Sequence, residues 1–167
     1  MRKSFTTILF FIISTLCFSS CGIYSFTGVN TTVKTATVHL IINQAAIVNP
    51  SLSGTLTEKL KNKIITGSPV AVVQSNGEME FSGSITAYTS SPIAASANET
   101  AALNRLSVTI NIECVNHKDE KQNWTQSFLR YADFNSSQDL SSVESQLVEE
   151  ITDQLTEDIF NKALVNW

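Results

Sequence analysis

The side chains in this sequence with chemistry to offer are three cysteines, two histidines and an adjacent pair of carboxylates, Glu149-Glu150. Only Cys21 has neighbours that point to a reaction. Arg2 and Lys3 form a positive start, Ile8 to Phe18 is almost unbroken apolar sequence, and Ser19-Ser20 precede the cysteine. That layout is a secretory signal, and its apolar run is too short to span a bilayer as a helix. The small-small-cysteine ending points further, to a bacterial lipoprotein signal, in which Cys21 becomes the first mature residue and carries acyl chains. The alternative is an ordinary signal cleaved near Ser20 that leaves Cys21 unmodified. Gly22 gives no inner-membrane retention signal and no acidic run follows. The expected destination is therefore the outer membrane, lipid-anchored and facing the periplasm.

The other reactive residues read as structural. Cys114 lies in an alternating apolar run, where a cysteine acts as a small hydrophobe. His39 and His117 are far apart in sequence, without ligand-spaced partners, so no metal site is expected. No nucleophile elbow, phosphate loop or dinucleotide fingerprint occurs, and no cofactor or catalysis is expected. Glu149 and Glu150 fall on the solvated arc of a helix, where nothing raises a carboxyl pKa. Asp158 projects within the apolar arc of that helix. It is read as lying at the arc's margin, with pairing to Arg130 as the alternative. The Asn-x-Ser/Thr sequons are chance matches in a Ser/Thr-rich chain.

Removing twenty signal residues leaves 147 of 167, the size of one domain with a sizeable core. Taking Arg2 and Lys3 from eleven basic residues leaves nine against fifteen acidic, a mature net charge of −6. Nucleic acid is excluded as a partner, because phosphate binding needs clustered cations. Charged residues are only 16% of the chain, below the usual quarter. The surface must then be built from Ser, Thr and Asn.

The elements that position these residues follow from periodicity. Val33 to Asn43 reads as a strand with Ala36, Val38, Leu40 and Ile42 on one face. Asn49-Pro50 starts a helix whose Leu52, Leu56, Leu60 and Ile64 form a buried stripe. Lys59, Lys61 and Lys63 keep its outer side wet. A short strand from Val70 to Gln74 meets a hairpin turn at Asn76-Gly77. Strands follow at Met79–Thr89, with Ala87 inward and Tyr88 outward, at Asn104–Asn116 and at Asn123–Tyr131. The last helix runs about six turns. Its capping box is Ser141 to Glu144, and its buried stripe is Val143, Leu147, Ile151, Leu155 and Ile159. The sum is an α+β two-layer sandwich: a mostly antiparallel four- to five-stranded sheet with two amphipathic helices on one face. The organisation is signal 1–20, lipidated cysteine and tether 21–32, and one domain 33–167. The sheet face away from the helices must meet water or a polar partner.

Five stretches carry a resemblance: Cys21-Gly-Ile-Tyr-Ser-Phe26, Val48-Asn-Pro-Ser-Leu52, Asn98-Glu-Thr-Ala-Ala-Leu-Asn-Arg-Leu106, Gln138 to Glu144, and Asp158 to Trp167. Together they resemble the lipopolysaccharide-assembly lipoprotein family LptE in its Bacteroidetes branch. The resemblance implies a lipoprotein that fills the lumen of an LptD-type outer-membrane β-barrel and assists its assembly. The pair receives lipopolysaccharide and inserts it in the outer leaflet. Basic residues contact lipopolysaccharide in such proteins, and Arg105, Arg130, Lys118 and Lys121 are the candidates here, with ordinary ion pairing as the competing role. Trp124 and Trp167 are read as either interface anchors or core. The rival function is a free-standing periplasmic lipoprotein that binds a small ligand or serves a transport system, and it requires an apolar pocket with converging polar groups.

Overall fold

The computed structural model describes residues 31–93 and 102–165. The expectations for the signal, Cys21, most of the tether, Asn98 and Trp167 lie outside the described residues. Alternation builds the centre of the sheet. In β5 (Leu103–Asn116), Leu106, Val108, Ile110, Ile112 and Cys114 are all buried on one face. On one side β5 pairs antiparallel with β4 (Met79–Ile93), and on the other with β6 (Trp124–Asn135). Desolvation pushes the buried Cys114 thiol up to about 12, so it is an inert core residue.

The dry face is covered by α1 (Leu52–Gly67) and α2 (Leu140–Leu164), which pack on each other and on the sheet. Both apolar stripes are buried as their spacing requires, apart from Val143, which is partly buried. Two lysines expected in solvent instead join the helices. Lys59 Nζ lies 2.8 Å from Glu149 Oε1 and 2.5 Å from Asp153 Oδ1, and Lys63 pairs with Glu157. Lys61 keeps to its own helix, with Glu58. The facing acidic arc of α2 supplies partners one turn apart, which matches the one-turn spacing of Lys59 and Lys63.

The rest of the sheet is more broken than its sequence suggests. The first strand splits into β1 (Thr35–Val38) and β2 (Ile42–Asn43), both parallel to β4, and β3 (Ala71–Val72) lies outside β1, also parallel. The order is β3-β1-β4-β5-β6, with β2 on β4, giving a mixed six-stranded sheet. The split has a local cause. Thr57 Oγ1 of α1 accepts the Ile41 N–H at 3.1 Å, and Ser53 Oγ donates to the Ile41 carbonyl. The helix thus takes Ile41 out of the ladder and buries its side chain. The alternation slips by one residue, and Leu40 and Ile42 point outward rather than inward. A second slip is a bulge between Ile85 and Ala87, which turns Tyr88 into the core where the alternation put it outside.

Asn76-Gly77 is not a two-residue hairpin, because β3 and β4 sit on opposite sides of β1. Asn76 takes a positive φ of 56°. Gly77 passes so close to β1 that a Cβ would lie 2.5 Å from the Thr37 nitrogen, so only glycine fits the crossing. α1 starts two residues later than the Asn49-Pro50 signal placed it, with Ser51 at its N-cap, and Asn49 Oδ1 braces that start by accepting from the backbone of Ser51 and Leu52 at 3.0 and 3.1 Å. The capping box of α2 does not form. Its Glu144 instead accepts from Tyr88 Oη at 2.5 Å and from Asn49 Nδ2 at 2.9 Å, tying β4 to the starts of both helices. The helix begins at Leu140 and spans 25 residues, one turn longer than expected.

Two outcomes follow. Thr57→Val leaves the buried Ile41 N–H without a partner, so urea unfolding should show a loss of about 1–3 kcal/mol. Thr66→Val, an exposed helix position, should stay within about 0.5 kcal/mol. Burial, then the Glu144 carboxylate, raises Tyr88 above the ordinary phenol range. The folded state therefore holds this proton where the unfolded chain has lost it. Stability should fall as pH rises past about 10. Tyr88→Phe should flatten that slope in pH-dependent unfolding.

Candidate functional site

The helices leave one sheet face uncovered, and its chemistry follows from the register. Ser84, Asn111 and Ser127 lie side by side across β4, β5 and β6, as do Ser82, Glu113 and Thr125. Small hydroxyls and amides fill the middle of this face. Some of them bond to the sheet itself, as Ser127 Oγ does to the Ile110 carbonyl at 3.2 Å. Leu129 and Tyr131 are its exposed large apolar residues on β6.

The charged groups at the two ends of this face have partners in place, while Glu113 in its middle meets only the Ser82 hydroxyl, at 3.5 Å, among the described residues. At one end Arg105 makes a two-pronged pair with Asp133 at 2.7 and 2.9 Å, and its guanidinium lies 3.5 Å over the Tyr131 ring. The hydrogen bond from Arg105 holds the Asp133 carboxyl below its ordinary range and in turn keeps Arg105 charged. At the other end the chain's two histidines, 78 positions apart in sequence, meet on one carboxylate. His39 Nε2 is 3.2 Å and His117 Nε2 3.5 Å from the oxygens of Glu80. Nothing in the sequence brought these three together, since the contact needs the β1–β4–β5 pairing.

The other basic candidates are dispersed. Arg130 sits on the helix side of β6 and pairs with Asp158 of α2, with both bonds at 2.6 Å. Asp158 is therefore an ion-pair partner rather than a residue at the margin of the apolar arc. Lys118 lies 3.2 Å from Glu78, whose carboxyl is lowered first by the Lys34 N–H and then by Lys118. Lys121 is exposed on the 3-10 turn Glu120–Gln122. Arg105 and Lys118 stand at opposite ends of β5, roughly 40 Å apart at a strand rise of about 3.3 Å per residue. The structure does not gather the four residues into one site. Trp124 is partly buried and packs edge-on to Phe128 at 6.0 Å, as part of the core margin.

Clefts along β6 and α2 are shallow. One of about 370 Å3 is lined by Gln126, Ser127, Arg130, Asp158 and neighbours, and one of about 480 Å3 by Arg130, Tyr131, Asp133, Glu150 and neighbours. These are open polar surfaces, without the enclosed apolar walls of a small-molecule site. Among the described residues no three His, Cys, Asp or Glu converge to hold a metal. Every buried side-chain polar atom there has a partner. No described helix is long and apolar enough to cross a membrane.

Comparison with known proteins fits this architecture. The chain is similar in fold to a minor lipoprotein of Acinetobacter baumannii, with a TM-score of 0.52 and 15% identity over 79% of this chain and 93% of that one. A hypothetical protein of Chlamydia trachomatis gives 0.55 at 5% identity, over 80% and 99%. A protein of Xanthomonas campestris gives 0.50 at 12%, over 80% and 88%. At these identities the likeness is one of fold alone. Among curated proteins none matches the sequence. The family model for LptE, lipopolysaccharide-assembly, matches residues 33–163, from two residues before β1 to the last turn of α2. The chain belongs to the LptE family of lipopolysaccharide-assembly proteins.

Proposed function

We propose that this protein is an outer-membrane lipoprotein that fills and helps to assemble an LptD-type β-barrel, serving lipopolysaccharide transport to the outer leaflet. It acts without catalysis. Acylated Cys21 holds it to the membrane, and the sheet face away from the helices docks in the barrel lumen. One observation carries this reading: the uncovered face is broad, built mostly of small hydroxyls and amides, and the charged groups at its two ends, Arg105 and Glu80, are hydrogen-bonded within the face. Lumens of large barrels are polar. A face of Ser, Thr and Asn can leave water for such a wall with its hydrogen bonds replaced, and Glu113 is the one carboxylate in its middle to which the wall must bring a donor or a cation. Arg105, Arg130, Lys118 and Lys121 remain the proposed contacts to lipopolysaccharide or barrel. Lys121 is the one whose ammonium meets no acidic partner among the described residues.

The test is a pull-down of tagged protein from detergent-solubilised outer membranes. Wild type should bring down a stoichiometric LptD-type barrel, and Cys21→Ala should lower that yield. Asn111→Glu places a second unpaired carboxylate, two residues from Glu113, between Ser84 and Ser127 on the exposed face and should leave the isolated domain folded. An unpaired buried charge costs about 3–5 kcal/mol, so barrel recovery should fall more than a hundredfold. Wild type recovered alone and monomeric would refute the barrel reading.

A further inference from the structure

The slip at Ile41 has a second product. Leu40 and Ile42 are 62% and 58% exposed, and Ile47 and Val48 just beyond are 61% and 57% exposed. The ten residues Leu40–Asn49 contain no ionisable side chain. This stretch also lies at a sheet edge. β3 covers β1 only at Thr35 and Ala36, and β2 pairs with β4 alone. His39 N–H and Gln44 N–H donate inward to Phe81 and Ile85 of β4. The backbone groups of Leu40 and Asn43, which alternate with these, face the open side, where no described strand pairs with them.

Natural edges are usually blunted by lysine, proline or an inward charge. This one has none of these, and it presents aliphatic side chains together with backbone groups that no described strand pairs. An acyl chain would cover the side chains but leave the backbone groups dry and unbonded. A polypeptide strand satisfies both, and a neutral strip calls for an uncharged strand. Resting on the barrel partnership proposed above, we infer that the Leu40–Asn43 edge receives an extended, uncharged, aliphatic segment of the barrel protein as an added β-strand. A closed barrel has no free edge of its own. The added strand therefore comes from a loop or terminal arm within the lumen, not from the barrel wall.

The experiment is hydrogen–deuterium exchange on the full-length protein, free and in the purified barrel complex, alongside the Leu40→Lys/Ile42→Lys double variant in the pull-down. The expected result is fast exchange of the Leu40 and Asn43 amides in the free protein and at least tenfold slower exchange in the complex. The double variant should melt within a few degrees of wild type, because both side chains are already mostly in water, and should recover at least tenfold less barrel. Ile65→Lys, an equally exposed position on α1, should recover as much as wild type. A barrel recovered normally by the double variant, or complexed amides that stay fast, overturns the added strand while leaving the partnership intact. Slow exchange in the free protein that is lost on deleting 23–30 assigns the edge to the tether and overturns it. So does a concentration-dependent dimer abolished by the double variant. Failure of wild type to recover any barrel overturns the partnership and the added strand together.

Discussion

Two helices can dry only one face of this sheet, and most of the molecule follows from that constraint. The buried face of β5 must be continuous aliphatic sequence, because α1 and α2 exclude water along its whole length. The helices must also stay side by side, since either alone would leave part of the sheet wet. Apolar packing supplies most of that adhesion. Lys59 and Lys63 against Glu149, Asp153 and Glu157 set the register between the helices. The bond from Asn49 to Glu144 and from Tyr88 to Glu144 fixes where both helices begin over the sheet. The second face is then left to solvent or to a partner, and its side chains have to tolerate either.

The patterns that were legible in sequence are those that one element decides by itself. The inward side of β5 and the stripes of α1 and α2 follow from period two and period 3.6, and no distant residue overrules them. What was not legible is what another element imposes. Nothing near Ile41 announces that Ser53 and Thr57 will capture its backbone, yet that capture reverses the facing of Leu40 and Ile42. The bulge that buries Tyr88 is likewise tied to a phenol reaching Glu144, 56 residues away. Glu144 fits a capping box by spacing, and the tertiary bond outcompetes the local one. The polar character of the open face was readable from Ser, Thr and Asn content. The pairing of its charges was not, since Arg105–Asp133 and the two histidines on Glu80 depend on which strands become neighbours.

Charge economy on the open face bears on binding as much as on solubility. A lone cation or anion carried into a lumen wall costs several kcal/mol unless the wall supplies its counterion at the right place. Here the stacked and doubly bonded Arg105 brings its own counterion, and Glu80 brings two imidazoles. The ends of the face can therefore pass from water to a polar wall with their bonds kept, and Glu113 is the group that makes a specific demand on that wall. Such a surface binds by shape and by many weak hydrogen bonds, with low affinity per unit area.

On the proposed reading, the acyl anchor makes such weak docking sufficient. From Cys21 to Thr31 the chain can extend at most about 35 Å, at roughly 3.3–3.6 Å per residue. A domain held that close to the bilayer meets any barrel in the same membrane at a high effective concentration, so docking becomes nearly intramolecular. The interface then needs specificity more than strength. A polar face whose one ionic demand on its wall is a partner for Glu113 provides no strong selection by itself. A neutral open edge is more discriminating, because only a segment with matching register and unpaired backbone groups can complete it. The division of labour is physical: the anchor supplies concentration, the broad face supplies fit at low desolvation cost, and the edge beside Ile41 supplies the choice of partner.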